Sequence, residues 1–235
     1  MNKVSIVVPS LTGGGAEKIV RLLANKLSEE GLLSNVYVGT CADTRDTNFS
    51  LVKLSAMSAL GALPSFMNAL PNDSADTFLL NLGYANLAPA IRLYKPKARI
   101  VIRVGNTISA EVARLGLLKK MRYLGAQFLS LRLADIIIAQ CDFMRRDLIK
   151  TLHIPDRKIV VIHNFIDRPQ SLDFDGRSPI DGPYIFIAAT NKPQKSLETL
   201  LEAYAGSPAR KNRKLVIAGV GSLDHDFSKK IRQFQ

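Results

Sequence analysis

The chain has 235 residues, 47% of them hydrophobic, and a net charge of +12 that arises from 32 Lys and Arg against 20 Asp and Glu. This is the composition of an ordinary globular protein with one large domain or two small ones. No apolar stretch approaches the roughly 18 residues of a membrane span and no secretory leader is recognisable, so we expect a cytoplasmic protein. Cys41 and Cys141 lie far apart, and the three histidines share no ligand spacing with them, which argues against a disulfide framework and a zinc site.

The strong positive charge predicts a partner that carries phosphate. Nucleic acid, a nucleotide and the anionic inner face of a membrane all satisfy this expectation, and charge alone does not choose among them. The sequence contains no helix-turn-helix, zinc-finger or aromatic ribonucleoprotein signature. We therefore expect no nucleic-acid partner and retain the nucleotide and the membrane.

In the first half of the chain, apolar runs typical of strands alternate with segments of helix length. A strand is expected at residues 4–8 and a helix from residue 16 to about residue 30. Further strands are expected at residues 35–38, 77–80, 99–103, 135–139 and 158–162. Near-continuous apolar strands separated by helices indicate a parallel sheet covered on both faces, which is a doubly wound α/β domain.

Three consecutive glycines, Gly13, Gly14 and Gly15, connect the first strand to the first helix. Glycine lets the bare backbone approach a bulky group, and the unpaired N–H groups at a helix N-terminus favour an anion, most often a phosphate. The loop also lies at the carboxyl end of a parallel strand, where α/β sheets bind ligands. A tight turn that binds nothing is the alternative, since glycine motifs on their own are weak signals.

Residues 114–132 combine basic and apolar side chains in a pattern typical of a basic amphipathic helix. Lys119, Lys120 and Arg122 are the residues that we expect to face an anionic membrane surface. The alternative is a helix that packs on the core through its apolar side and exposes its basic side to solvent.

A segment rich in Pro, Gly and Asp at residues 167–183 predicts a linker or a crossover between domains. After it, strands are expected at residues 184–189 and 214–218, with a helix at about 194–205 between them and another from residue 224. Two such units are too few for a stable domain. We therefore expect a second domain that has been cut short; the alternative is that these units extend the first sheet and that the chain is complete.

Two features of the second half favour an anionic ligand. Lys195 is expected near a helix N-terminus, where the dipole disfavours a cation by roughly 0.3–1 kcal/mol unless both share an anion. Gly219 and Gly221 open the end of the last strand to close approach. An exposed lysine and a simple turn are the alternatives.

Five motifs, taken in order, resemble those of the retaining GT-B glycosyltransferases of family 4, which use nucleotide-sugar donors. They are the glycine loop at residues 10–18, the strand and helix at 134–148, the crossover at 161–167, and the units at 184–204 and 215–221. The resemblance covers the whole chain but only part of the length of a typical member. It implies an N-terminal, acceptor-side Rossmann-like domain at residues 1–166, the linker at 167–183, and a partial nucleotide-sugar-binding domain at residues 184–235.

Matched by position, the resemblance implies that Gly14 and Gly15 face the donor phosphates and the acceptor, and that Lys195 neutralises the donor diphosphate. Gly219 and Gly221 would lie near the nucleoside. A fixed lysine and backbone N–H groups stabilise the charge of the departing diphosphate, so neither a metal ion nor another cofactor is expected.

Several residues depart from the pattern of this family. Thr190, retained as a donor-site candidate, or its neighbour replaces an arginine that binds the diphosphate; Ser196 replaces the glycine after the lysine, and Phe165 the crossover glycine. Asn106 follows the middle strand where many members carry a histidine; it could hydrogen-bond a sugar hydroxyl or carbonyl, and it is the one candidate catalytic residue. The later pair of glutamates of the family would lie beyond Gln235.

The sequence thus predicts a glycosyltransferase that moves a hexose or N-acetylhexosamine from a nucleotide sugar to a lipid-linked or surface-polysaccharide acceptor with retention of configuration. We expect it to act in polysaccharide or lipopolysaccharide assembly as a peripheral protein on the cytoplasmic face of the cell membrane. The alternative is a non-catalytic or vestigial fragment that acts at most as a binding module, which the departures at Thr190 and Phe165 favour.

Overall fold

The computed structural model describes residues 3–12, 14–40, 47–165, 180–189 and 195–219, together with residues 229 and 231. The chain forms two compact units, Met1–Asp167 and Arg168–Gln235. Each unit has its own β-sheet and its own hydrophobic core.

Among its described residues, the first unit contains a seven-stranded sheet in which all neighbouring strands are parallel. The strands are β1 (Val4–Ser10), β2 (Leu33–Thr40), β3 (Leu51–Lys53), β4 (Thr77–Asn81), β5 (Arg99–Arg103), β6 (Ile136–Ala139) and β7 (Ile159–Val161). Their order in the sheet is β3-β2-β1-β4-β5-β6-β7. The direction in which strands are added therefore reverses between β1 and β4, and such a reversal is where open α/β sheets bind ligands.

Helices connect these strands on both sides of the sheet. The α-helices of this unit are α1 (Gly15–Glu29), α2 (Ala59–Ala69), α3 (Ala88–Tyr94), α4 (Ile108–Val112), α5 (Leu117–Leu133) and α6 (Asp142–Leu152). Short 3-10 helices lie at Leu70–Asn72, Leu82–Leu87 and Asp156–Lys158. Within the described ranges, no helix is long and apolar enough to cross a membrane.

The two faces of the large sheet are buried against different helices, because side chains alternate along each strand. Ile6 and Val8 of β1 pack with Val20 and Ala24 of α1 on one face. Val7 lies on the opposite face, in a larger core to which α2, α3, α5 and α6 all contribute buried side chains. Burial on both faces explains why these strands read as continuous apolar runs, and the predicted doubly wound α/β architecture is confirmed.

The second unit contains β8 (Tyr184–Ala188) and β9 (Lys214–Ala218), which pair in parallel, with α7 (Leu197–Ala205) between them in sequence. Among the described strands, β8 and β9 pair only with each other. Leu197 and Leu201 of α7 pack with Ala189 in a small core. The helix begins at Leu197 rather than at residue 194, after a left-handed Ser196 with φ 48°.

Candidate functional site

The carboxyl ends of the seven parallel strands lie along one edge of the large sheet, called the carboxyl edge below. Two of the segments that leave this edge carry glycine or polar residues next to the reversal of strand order. Gly14 and Gly15 follow β1, and the 3-10 helix Leu82–Leu87 follows β4. The residues after β5 adjoin the second of these segments around a cavity. A ligand that occupies this edge therefore meets side chains and backbone from several strands at once.

The glycine loop leaves the N-terminus of α1 open. Gly14 is the N-cap of α1 in an extended conformation and provides no side-chain cap, and both Gly14 and Gly15 are exposed. A Cβ atom at Gly15 would meet no atom within 4 Å, and one at Gly14 would meet only Glu17 Oε2, at 3.4 Å. Neither glycine is required by a left-handed backbone or by packing within the described residues. The exposed N–H groups of α1 are therefore accessible to an anion.

The segment that precedes these glycines is held by hydrogen bonds. Ser10 Oγ accepts a hydrogen bond from the backbone N–H of Thr12 at 3.0 Å. The guanidinium of Arg21, on α1, donates to the carbonyl oxygen of Leu11. These contacts hold residues 10–12 in place as the chain leaves β1.

A cavity of about 290 Å³ opens at the carboxyl ends of β4 and β5. Its size is at the lower end of the range of ligand pockets, which suits a single sugar ring. The lining combines apolar side chains with polar side chains that converge from the 3-10 helix after β4, from β5 and the loop that follows it, and from α4 and α5. The residues that line it are Gly83, Ala85, Asn86, Ile102, Arg103, Val104, Gly105, Asn106, Ile108, Glu111, Tyr123 and Gln127.

The carboxylate of Glu111, on α4, is held in this cavity by two donors. Asn106 Nδ2 donates to Glu111 Oε1 at 2.6 Å, and the hydroxyl of Tyr123 donates to Oε2. Burial and the hydrogen bond to Glu111 both raise the pKa of the Tyr123 hydroxyl, which therefore stays protonated. The predicted residue Asn106 thus lies in the cavity, where it orients a carboxylate that can accept hydrogen bonds from sugar hydroxyls.

Arg103, the last residue of β5, also lines the cavity and is only 7% exposed. Its Nη2 donates to Asn164 Oδ1 at 2.6 Å, whereas its Nη1 is buried without a hydrogen-bond partner. Burial lowers the pKa of the Arg103 guanidinium, and no described carboxylate forms an ion pair with it. On the adjacent strand, its register partner Asn81 is also buried and leaves Oδ1 unpaired.

A chain of amide hydrogen bonds joins Arg103 to the ends of β6 and β7. Asn164 Nδ2 donates to Gln140 Oε1 at 2.8 Å. Gln140 Nε2 in turn donates to the carbonyl oxygen of Val104 at 2.9 Å. Three neighbouring strand ends are therefore tied together, and the guanidinium is held in one orientation.

The predicted residues of the second unit differ in what they contribute. Lys195 is exposed and lies two residues before the first residue of α7. Gly219 follows β9 with φ +92°, and a Cβ atom there would lie 3.1 Å from the carbonyl oxygen of Ala189. Glycine at 219 is therefore required by the backbone of this unit itself. Thr190 and Gly221 lie outside the described residues.

The predicted membrane-facing residues lie on α5. Lys119 and Arg122 are exposed, and Lys120 is half-buried. Beside them, the side chains of Leu117, Leu118 and Met121 are 64–76% exposed. Basic and large apolar side chains thus share the exposed surface of the first two turns of α5.

Arg103, Glu111 and Tyr123 were not among the residues predicted from the sequence. A signal for Arg103 exists, because it directly follows the apolar run of residues 100–102 and ends β5 at the carboxyl edge. Glu111 and Tyr123 carry no local signal, since they meet only through the packing of α4 against α5. Among the described residues, no three His, Cys, Asp or Glu side chains are grouped so that they could hold a metal ion.

Comparison with known proteins connects this geometry to a family. Residues 13–169 match the model of the family described as Glycosyltransferase Family 4. No curated protein matches the sequence.

Solved structures share the fold at low sequence identity. The lipopolysaccharide outer core galactosyltransferase WaaB matches with a TM-score of 0.63 and 13% identity, over 99% of this chain and 65% of WaaB. Anabaena HepE in complex with UDP-glucose matches with a TM-score of 0.67 and 15% identity, over 99% of this chain and 65% of HepE. Sucrose-phosphate synthase from Thermosynechococcus elongatus matches with a TM-score of 0.74 and 14% identity, over 100% of this chain and 68% of the synthase. The chain thus has a GT-B-like fold, as predicted, and spans about two thirds of the length of these proteins.

Proposed function

The chain belongs to glycosyltransferase family 4, as its motifs predict, and we propose that it transfers a hexose or N-acetylhexosamine from a nucleotide-sugar donor. The acceptor that we propose is a lipid-linked or surface-polysaccharide glycan, and the configuration of the transferred sugar is retained. The similarity to WaaB, a lipopolysaccharide outer core galactosyltransferase, and to HepE, which was solved in complex with UDP-glucose, supports these assignments.

The observation that carries the proposal is the open N-terminus of α1 at the carboxyl edge. Gly14 and Gly15 are exposed there, and the first unit itself has no need of glycine at Gly15. A diphosphate requires such close access to backbone N–H groups, and the dipole of the fifteen-residue helix favours its charge. In this proposal, the bound diphosphate accounts for the absence of a side chain at these positions.

The departing nucleoside diphosphate gains negative charge as the bond to the sugar breaks. In the first unit, the fixed N–H groups at the N-terminus of α1 are the groups that we propose to stabilise this charge. In the second unit, the ammonium of Lys195 is the group that we propose for the same role. In this mechanism no metal ion or other cofactor is needed. Lys195 is exposed, and its side chain can therefore reach a ligand.

The acceptor sugar occupies the cavity beside β5 in this proposal. The Glu111 carboxylate, held by Asn106 and Tyr123, accepts hydrogen bonds from acceptor hydroxyls. Asn106 is then a positioning residue for Glu111 rather than a group that reacts. These two hydrogen bonds keep the carboxylate in one place while the acceptor is bound.

A matched pair of glycine variants tests donor binding. Gly14 is the N-cap of α1, where a Cβ atom would be in ordinary contact with Glu17 Oε2 at 3.4 Å, and Gly116 is the N-cap of α5, where it would meet nothing within 4 Å. We expect Gly14→Val to abolish binding of UDP-, ADP- and GDP-sugars in calorimetric titrations, whereas Gly116→Val leaves it intact. Valine disfavours the N-cap at both positions, so the helix-capping cost is matched.

Lys195→Ala is expected to weaken the same titration by about tenfold, since a hydrogen bond to a charged group is lost. If no nucleotide sugar binds to the unchanged chain and Lys195→Ala has no effect, the binding-module alternative replaces the transferase.

We further propose that α5 docks on an anionic membrane surface at the cytoplasmic face of the cell membrane. Exposed Leu117, Leu118 and Met121 supply apolar area, and Lys119 and Arg122 supply charge. We expect sedimentation with phosphatidylglycerol vesicles to be lost when Lys119, Lys120 and Arg122 are changed to Glu.

The matched control reverses three exposed lysines elsewhere, Lys53, Lys97 and Lys211, and changes the net charge by the same amount. Equal loss of sedimentation in both triple variants would mean that net charge alone, and not α5, drives binding.

A further inference from the structure

The strongest unexplained feature of the candidate site is the charge of Arg103. Arg103 as a residue is only 7% exposed, so its side chain has lost most of its contact with bulk water. Burying a charge is costly unless an opposite charge and hydrogen bonds compensate for it. Among the described residues, Arg103 has one neutral hydrogen-bond partner, Asn164, and its Nη1 has none.

A purely structural role does not account for this residue. The bond to Asn164 could be made by a neutral donor, and Asn164 is itself exposed to water. Glu111 lines the same cavity, but its two oxygens are bonded to Asn106 and Tyr123, and it does not compensate Arg103. No described residue therefore compensates for the free-energy cost of burying the Arg103 charge, and a bound group of negative charge can do so.

We propose that the acceptor of this transferase carries an oxyanion, a carboxylate or a phosphate on its sugar, and that Arg103 binds it. This inference rests on the proposed function, because it takes the cavity beside β5 as the site of the acceptor. The cavity then recognises two different features of one ligand. Arg103 contacts the oxyanion, and Glu111 accepts hydrogen bonds from the hydroxyls.

The amide chain through Asn164 and Gln140 supports this role. It fixes one side of the guanidinium through Nη2, while Nη1 is left without a partner. A guanidinium that is already oriented loses little freedom when an oxyanion binds, which favours affinity and discrimination. A site built in this way rejects a neutral sugar, since the buried charge would remain unpaired.

Calorimetric titration of the full chain with three monosaccharides tests the proposal. The probes are D-glucuronate, D-glucose 6-phosphate and neutral D-glucose. We expect at least one anionic sugar to bind about tenfold or more tightly than glucose, as expected for a charge-assisted hydrogen bond. Which of the two anionic sugars binds distinguishes a carboxylate from a phosphate. Equal binding of glucose, or no binding of either anionic sugar, overturns the proposal.

Two variants locate the effect. Arg103→Gln is expected to remove the preference for the anionic sugar, whereas Arg99→Gln, at the exposed amino end of the same strand, is expected to keep it. Persistence of the preference in Arg103→Gln contradicts the proposal. The comparison among sugars on the unchanged chain decides the matter even if Arg103→Gln does not fold.

A steric variant tests the position of the ligand. Gly83 lines the cavity, and a Cβ atom there would meet nothing within 4 Å, so Gly83→Leu is expected to abolish binding while the fold is kept. Gly125→Leu, also without a close neighbour but outside the cavity, is the control. Unchanged binding in Gly83→Leu contradicts the assignment of the cavity. Because no nucleotide is present, these results are independent of the donor titration that tests the proposed function.

Discussion

Asp73 and Arg103 are buried charged side chains at opposite ends of the large sheet, and their surroundings differ. At the amino end, Asp73 is 3% exposed and its carboxylate accepts hydrogen bonds from Ser5, Tyr37, Ser34 and the backbone N–H of Ala75, at 2.6–2.9 Å. At the carboxyl end, Arg103 is 7% exposed, has one partner, and leaves Nη1 unpaired.

The difference separates a structural charge from a binding charge. Asp73 joins β1, β2 and the chain that enters β4, and every bond that it accepts comes from the protein itself. Arg103 is held in place but not neutralised. A buried charge whose hydrogen-bond partners all belong to the protein helps to hold the fold together. A buried charge that lacks such partners and lies at the carboxyl edge favours a ligand of opposite charge.

Removal of the Asp73 carboxylate, at the amino end of the sheet, has the largest expected effect on stability. We expect Asp73→Ala to lower the free energy of unfolding of the first unit by roughly 3–5 kcal/mol, because the buried hydroxyls of Ser5 and Tyr37 lose their acceptor. Urea unfolding measures this loss. Asp76→Ala, three residues away and exposed, is the control and should change the value by less than about 0.5 kcal/mol.

The second largest effect is expected from acid, which should lower the stability of the first unit by protonating Asp73. Burial raises the pKa of Asp73, but its four hydrogen bonds lower it more, and the net pKa lies below the ordinary value. The stabilisation is therefore complete above the pKa of about 3.9 in the unfolded chain and is lost as the pH falls through the folded-state value. Urea unfolding measured as the pH falls below about 4 should show this decline, and Asp73→Asn should reduce it.

An equally steep decline in Asp73→Asn would show that other carboxylates govern acid sensitivity.

At the carboxyl end, removal of the Arg103 charge should raise the free energy of unfolding, whereas removal of the Asp73 carboxylate lowers it. We expect Arg103→Met to raise the free energy of unfolding by about 1 kcal/mol in the absence of ligand, because an uncompensated buried charge is replaced by an apolar side chain. Water can replace the lost bond to Asn164, which is exposed. A loss of stability comparable to that of Asp73→Ala would mean that Arg103 is structural.

Two glycines show the same difference between a residue that the fold requires and one that it does not, and the expected effect on stability is smaller. Gly219 adopts φ +92° close to the carbonyl of Ala189, so Gly219→Ala should destabilise the second unit by about 1–2 kcal/mol. Gly15→Ala places a side chain in open space at the start of a helix, and it should leave stability unchanged or raise it by a few tenths of a kcal/mol. Thermal unfolding of both variants measures the difference, and equal losses would remove the distinction.

Much of the fold could be predicted from the sequence, because parallel strands that are buried on both faces have nearly continuous apolar sequences. β1, β4 and β5 were expected within one or two residues of their observed ends. β3 and α2 were not predicted: β3 has only three residues at the edge of the sheet, and α2 has Pro64 in its interior, which weakens a helical signal.

The candidate site was less predictable. The glycine loop could be found because its signal is local. The cavity depends on contacts between residues that are far apart in sequence, such as Arg103 and Asn164. No sequence motif or spacing predicts these contacts. Asn106 was predicted to hydrogen-bond a sugar, and its Nδ2 donates to Glu111 Oε1 in the cavity. The role of each predicted residue in donor binding stays a prediction.

The most direct test of the central claim measures the thermal midpoints of the unchanged chain and of Arg103→Met against the concentration of the anionic sugar that binds. Without the sugar, the variant should melt at the same temperature or higher. As the sugar is added, the midpoint of the unchanged chain should rise, by about 2.7 kcal/mol of stabilisation at a hundred times the Kd, and overtake that of the variant, which stays constant. Parallel curves that never cross would contradict the account.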